Sequence, residues 1–146
     1  MTHYKCYTDG AYSSARNQGG IGVVFLRNGE KVYEYSKGFK DTTNNRMELT
    51  AVIEALKMLK EPCKVTLYSD SQYVCNALKL GWAKKWQANN WMRNKKEPAL
   101  NPDLWEALLK LCDVHQMEIV WVKGHAGHPE NERCDRLAVA QAEKFI

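Results

Sequence analysis

Apolar residues follow two different periods along this chain, and the changes of period mark its elements. Residues 4–9 alternate and are rich in β-formers, which predicts a first strand. A polar loop at 13–18 leads to Gly-Ile-Gly-Val-Val-Phe-Leu at 20–26, a second strand. Asn28-Gly29 then gives a hairpin signal that favours a type I′ turn. The returning strand at 31–39 carries Val32, Tyr33, Tyr35 and Phe39, so the chain opens as an antiparallel meander. After a polar, turn-rich stretch at 40–45 the period lengthens from Arg46 onward. Leu49, Val52, Ile53, Leu56 and Leu59 fall on one helical face, and Pro62 ends the helix.

At 65–72 the chain reads Val-Thr-Leu-Tyr-Ser-Asp-Ser-Gln. Val65, Leu67 and Ser69 alternate with Thr66, Tyr68 and Asp70, a fourth strand whose arrival through a helix implies a right-handed crossover and parallel pairing. From Ser71 a helical pattern resumes over 72–80 (Val74, Ala77, Leu78) and stops at Gly81. A helix at 103–113 packs through Leu104, Leu108, Leu109 and Leu111. A last strand follows at 117–122, then a Gly/His loop at 123–128. Pro129 stands in the first turn of a final helix with Leu137, Ala138 and Ala142. The order β-β-β-α-β-α-(basic segment)-α-β-α predicts an α/β, mixed α+β architecture with helices flanking a mixed sheet. No internal repeat or low-complexity linker divides residues 1–146, so one domain is expected.

Composition changes this picture in two places. No apolar run reaches the roughly 20 residues that span a bilayer, and the N-terminus turns polar too early for a secretory signal. Five scattered cysteines (6, 63, 75, 112, 134), with no Cys-x-x-Cys pair, argue for reduced thiols in a cytoplasmic protein and against structural zinc. The net charge of +4 is local. Between Trp82 and Pro102, Lys84, Lys85, Arg93, Lys95 and Lys96 face only Glu97, so this segment holds the whole excess. Trp82, Trp86 and Trp91 are interleaved with those cations, which points to a polyanion-docking surface with aromatic faces on which bases or sugars can lie. The alternative is an amphipathic segment whose tryptophans enter the core.

Candidate chemistry lies in acids at element ends. Tyr7-Thr8-Asp9-Gly10 echoes Tyr68-Ser69-Asp70-Ser71, as if two strands ended alike and aimed two carboxylates at one place. Both could instead be turn or cap residues. Glu48 falls in the first turn of its helix, where the dipole alone favours an acid. With Asp135 these make four carboxylates, the oxygen-rich set that a pair of hard cations needs for in-line phosphoryl displacement. His125, in Gly124-His125-Ala126-Gly127-His128, could move protons near neutral pH or be an ordinary loop histidine. Cys134 carries no mark of an activated thiol, and no P-loop or dinucleotide fingerprint is present.

Four blocks together resemble bacterial type 1 ribonuclease H over nearly the whole chain. They are Tyr7-Thr8-Asp9-Gly10, Thr42-Thr43-Asn44-Asn45-Arg46-Met47-Glu48-Leu49, Ser69-Asp70-Ser71-Gln72-Tyr73-Val74, and the run from Trp121-Val122-Lys123-Gly124-His125 through Asn131-Glu132-Arg133-Cys134-Asp135. The resemblance implies a five-stranded mixed sheet with helices and a basic protrusion at about 82–102. It implies endonucleolytic cleavage of the RNA strand of RNA/DNA hybrids, leaving 5′-phosphate and 3′-hydroxyl ends. Two ions of Mg²⁺, or Mn²⁺, would serve per active site with substrate bound. By motif match, Asp9, Glu48, Asp70 and Asp135 would hold metal and His125 would assist proton transfer or product release. Gly10, Asn44, Asn45 and Gln72 would meet the substrate, the amides in the minor groove. Thr43 would help hold a phosphate of the DNA strand, and Trp82 and Trp86 would line its channel. A monomer acting in the cytoplasm on hybrid duplex, with no membrane and no obligate protein partner, is the corresponding expectation.

The sequence departs from the family in two places. The loop after Asp9 is Ser14-Ala15-Arg16-Asn17-Gln18, so a phosphate-binding asparagine of the family falls near Ala15, with Arg16 or Asn17 as substitutes. The basic cluster usual after the second tryptophan is replaced by Gln87-Ala88-Asn89-Asn90, with Lys84 and Lys85 before it. Two other readings share the fold: a non-catalytic hybrid- or double-stranded-RNA-binding module, and another metal-dependent nuclease of the same superfold. Four carboxylates near phosphates argue against the first, and the amide set argues against the second.

Overall fold

The early alternation becomes three long strands, β1 (His3–Ser13), β2 (Gln18–Arg27) and β3 (Glu30–Lys40), paired antiparallel in sequence order. They belong to a computed structural model that describes residues 1–124 and 127–144. Asn28 and Gly29 both have positive φ (54° and 80°), as the type I′ turn requires. β1 does not stop at Asp9 as its residue pattern predicts. Backbone pairing with β2 carries it four residues further, to the Ser13/Gln18 pair.

α1 (Asn44–Lys57) starts two residues before the apolar periodicity does. The Thr43 hydroxyl accepts from the Arg46 amide at 3.2 Å and caps the helix, so polar Asn44 and Asn45 form its opening turn. The helix also ends five residues short of Pro62, at Lys57. Glu48 therefore sits in the second turn, beyond the reach within which a helix dipole favours an acid. Its placement needs another reason.

The chain then crosses over to β4 (Lys64–Ser69), which pairs in parallel with β1, and α2 (Gln72–Lys79) follows with Ser71 as its cap. Within the basic segment, α3 (Trp82–Ala88) forms after Gly81, whose φ of 76° turns the chain. α4 (Pro102–Val114), β5 (Gln116–Trp121) and α5 (Pro129–Glu143) complete the described chain. The five-stranded mixed sheet has the order β3-β2-β1-β4-β5.

The larger core lies between sheet and helices: Leu49, Val52 and Leu56 of α1 meet Val65 and Leu67 of β4, Val74 of α2, and Trp105 and Leu108 of α4, while Ile21, Met47 and Ala51 form a smaller cluster. Trp105 is the tryptophan that enters the core. It is fully buried, its indole N–H donates to the Tyr73 hydroxyl at 2.8 Å, and its ring meets Tyr73 and Trp86 edge-on. α5 lies directly on β2, because Gly20 and Gly22 let the helix backbone approach. A Cβ at either would stand 2.1–2.2 Å from the carbonyl oxygens of Ala138 and Cys134. Cys6, Cys63, Cys75 and Cys134 are buried free thiols that fill space. Among the described residues no helix is long and apolar enough to cross a membrane.

Candidate active site

The echoing tetrapeptides are neighbours in space. β1 and β4 pair in parallel with Tyr7 opposite Tyr68, and those rings stack at 4.4 Å and 8°. Tyr7 and Tyr68 are the last pair of this register, and Asp9 and Asp70 each follow it by two residues. The third acid comes from above the sheet. α1 presses onto β1 at Gly10, where a Cβ would stand 2.5 Å from the Glu48 nitrogen and the Met47 carbonyl carbon. The Gly10 amide donates both to Asp9 Oδ1, at 3.0 Å, and to Glu48 Oε1. Asp9, Glu48 and Asp70 thus offer one oxygen each within 4.8 Å of one another. Asp9 and Glu48 are buried, and Asp70 is half-buried.

Three carboxylates so close cannot all hold full charge in isolation. Burial pushes the Asp9 carboxyl far above the usual carboxylate range, and repulsion from Glu48, Asp70 and Asp135 adds to it. Burial also raises Glu48, joined by repulsion from Asp70. A hydrogen bond with the Asp9 carboxyl opposes that rise most, followed by the Gly10 amide and the Ser71 hydroxyl. Asp135, half-buried on α5, stands outside the close trio but near enough to act on Asp9. α5 is seated beside β1 partly by the Cys134 thiol, which donates to the Tyr7 carbonyl at 3.2 Å. β5 braces Asp70 from the other side. The exposed Trp121 indole donates to its carbonyl oxygen at 3.1 Å, and a Cβ at Gly124 would stand 3.1 Å from its Oδ2. A hard divalent cation fits this set: clustered oxygens, excess negative charge and raised pKa values are what such an ion relieves.

The residues expected to meet substrate lie at helix starts and in the basic segment. Thr43 and Asn44 are exposed and Asn45 half-buried at the start of α1, while Gln72 is exposed at the start of α2. Trp82 and Trp86 line one side of a groove of about 610 Å³ with Lys85, and Tyr73 and Leu100 close it. Lys84 does not share that surface. It lines a separate groove beside Asp113 of α4 and Met117 of β5. His125 lies outside the described residues. Asn17 is not a free phosphate ligand, since both ends of its amide are bonded to Tyr12 and Asp41. Arg16 faces Glu143 at 3.5 Å.

Two groups were not singled out from the sequence. Arg46, one turn into α1, donates to Asn101 Oδ1 at 3.2 Å and makes a two-pronged pair with Asp103 at 3.1 and 2.8 Å. It ties the start of α1 to the start of α4, and the Asn101 amide in turn donates to the Tyr73 hydroxyl at 3.4 Å. Arg46 stands inside a matched block and could have been noticed there. Asn101, in left-handed backbone (φ 58°), follows from nothing local. Arg133 of the last block is engaged instead with Glu34 of β3, at 3.1 and 2.6 Å.

The sequence profile of the family described as RNase H matches residues 1–143. The chain is 67% identical over 138 residues to a Ribonuclease H of Desulforamulus reducens, covering 94% of this chain and 86% of that one. It is 58% identical over 134 residues to the Ribonuclease HI of a Synechocystis strain, covering 92% and 84%. Among solved structures it is similar to LC9-RNase H1, described as a type 1 RNase H with the type 2 active-site motif. That likeness has a TM-score of 0.86 and 30% identity, over 97% of this chain and 72% of that one.

Proposed function

The chain belongs to the RNase H family, hydrolases that cut the RNA strand of RNA/DNA hybrids endonucleolytically, and from that premise we propose how its residues divide the work. The observation that carries the reading is the convergence of Asp9, Glu48 and Asp70 from β1, α1 and the end of β4. Asp9, Glu48, Asp70 and Asp135 would hold two Mg²⁺ ions, which supply charge neutralisation for an attacking water and a leaving oxygen when bound. Gly10 donates its amide to two of the carboxylates and fixes their orientation before any ion arrives. His125 is read as the group that takes or returns a proton near neutral pH. The products are a 5′-phosphate and a 3′-hydroxyl.

Strand choice falls to two surfaces. The amides of Asn44, Asn45 and Gln72 can both donate and accept, as a ribose 2′-OH requires. The DNA strand lies across Trp82 and Trp86, with Lys85 on its phosphates, and Thr43 helps hold one of them. We read residues 1–146 as one domain that works as a monomer in the cytoplasm with no obligate protein partner. Free thiols and the length of the family match support this reading.

One incubation series tests the function. Purified protein with Mg²⁺ should cleave the RNA of a hybrid, leave the DNA strand, duplex RNA and duplex DNA whole, and lose activity in chelator. Binding without cutting would identify a non-catalytic module, and cutting of duplex DNA another metal nuclease. A second measurement tests the split of the two lysines. The salt dependence of hybrid binding should become shallower by about one unit of slope for Lys85→Ala and should change little for Lys84→Ala. Equal effects would place both on the duplex.

A further inference from the structure

The loop between β3 and α1 is held from below by an exposed asparagine to which the reaction has so far given no role. Asn17 sits in the turn between β1 and β2 in left-handed backbone, φ 49°, a region that asparagine tolerates better than most residues. Glycine would satisfy that backbone equally well. The side chain, however, is used at both ends. Its Oδ1 accepts from the Tyr12 hydroxyl at 2.8 Å, and its Nδ2 donates to Asp41 Oδ1 at 2.8 Å. Its carbonyl takes the Asp41 amide at 2.9 Å. Asp41 is itself in left-handed backbone, φ 52°.

The grip leads directly to the substrate-facing segment. Thr42, next in the chain, is buried against Gly19, where a Cβ would stand 2.7 Å from Thr42 Cγ2 and 2.5 Å from Met47 Cγ. Thr43 then caps α1, and Asn44 and Asn45 follow. The loop therefore has a buried foot at Thr42 and a second hold at Asp41, with the presented residues just beyond. Bonds as exposed as these add little to global stability, since water competes for each partner. They can instead fix the direction in which a loop leaves its strand, and so lower the ordering cost of binding.

We propose that Asn17, with Tyr12 behind it, is a positioning residue for hybrid recognition: it fixes Asp41 and thereby the placement of Thr43, Asn44 and Asn45 against the duplex. The proposal rests on the reading of those three residues as hybrid contacts. It predicts an effect on binding and none on the carboxylates, which are held through Gly10 and the sheet register.

The test compares Asn17→Gly, which keeps the left-handed backbone, and Tyr12→Phe, which removes one hydroxyl, with Asn45→Ala and the Asn17→Gly/Asn45→Ala double variant. The expected result for Asn17→Gly is a KM for hybrid raised about 5–10-fold, with kcat and Tm close to those of the wild type. Tyr12→Phe should show a smaller change of the same kind. The double variant should lose less than the sum of the two single losses, because part of what Asn17 supports is the Asn45 contact. If Asn45→Ala raises KM while Asn17→Gly and Tyr12→Phe leave it within twofold, the positioning role is wrong and the contact reading stands. If Asn45→Ala changes nothing, both are wrong. A fully additive double variant would make Asn17 an independent contact and overturn the proposal, as would a loss confined to kcat.

Discussion

Asp9→Asn should reduce Mg²⁺-dependent cleavage by at least about a thousand-fold and, in the same protein, raise the melting temperature measured in chelator. Both effects follow from one geometry. Asp9 is buried in the sheet beside Glu48 and Asp70, and its raised carboxyl reflects burial first and repulsion from those neighbours second. An amide keeps the shape but cannot neutralise an ion, so the catalytic loss should be near complete. The stability gain has a definite sign. A carboxyl whose folded pKa is raised favours the folded state fully below its unfolded value, near 4, and that contribution is lost as pH rises toward the folded value. Glu48 is raised also, to about 7, so the penalty on the metal-free wild type accumulates between about pH 4 and pH 7 and beyond. The amide should remove on the order of 2 kcal/mol of it at neutral pH. Melting curves in chelator at pH 5 and pH 8 would show the two proteins converging at the lower pH and separating at the higher. Retained cleavage would remove Asp9 from the metal set, and a melting difference independent of pH would remove the repulsion argument.

Gly10→Ala is the second large effect expected. The new methyl would overlap backbone atoms of α1 at 2.5 Å, and neither the helix nor the strand can yield by a rotamer change. The helix must retreat by a fraction of an ångström to an ångström, taking Glu48 with it and stretching the amide contact that orients Glu48 and Asp9. A loss of stability of about 1–3 kcal/mol is expected, together with a drop in kcat of about a hundred-fold. A denaturant midpoint and steady-state kinetics on the same preparation would measure both. Normal kcat in a destabilised protein would show that the carboxylates tolerate the shift. Asp9→Asn and Gly10→Ala thus affect stability in opposite directions while both suppress catalysis, which separates loss of a ligand from loss of its placement.

Much of this arrangement was legible in the chain. The strand and helix periods, the Asn28-Gly29 hairpin and the stop at Gly81 are local, and local sequence decides them. The misreadings also have local causes. β1 looked finished at Asp9 because glycine and small polar residues follow it, yet pairing with β2 does not depend on side-chain type. Glu48 looked like a dipole partner because the apolar stripe begins late, while the helix itself begins at a polar cap. Lys84 and Lys85 are neighbours in sequence, yet adjacent helical residues point about 100° apart and these two line different grooves, which no run of cations reveals.

By itself the sequence determined the inventory: which acids, amides, cations and tryptophans exist, on which kind of element the acids ride, and which family they match; the helix α3 within the basic segment came from the structure. The convergence of three carboxylates was decided only in three dimensions. Asp9 and Asp70 are 61 positions apart and meet because β1 and β4 are parallel neighbours paired up to two residues before them; Glu48 joins them because glycine lets a helix touch the sheet. The use of Asn17 was decided in the same way, by Asp41 from a different turn. Periodicity describes how a segment faces its own surroundings. Register, close approach and the pairing of separate loops depend on the rest of the chain, so no local pattern carries them.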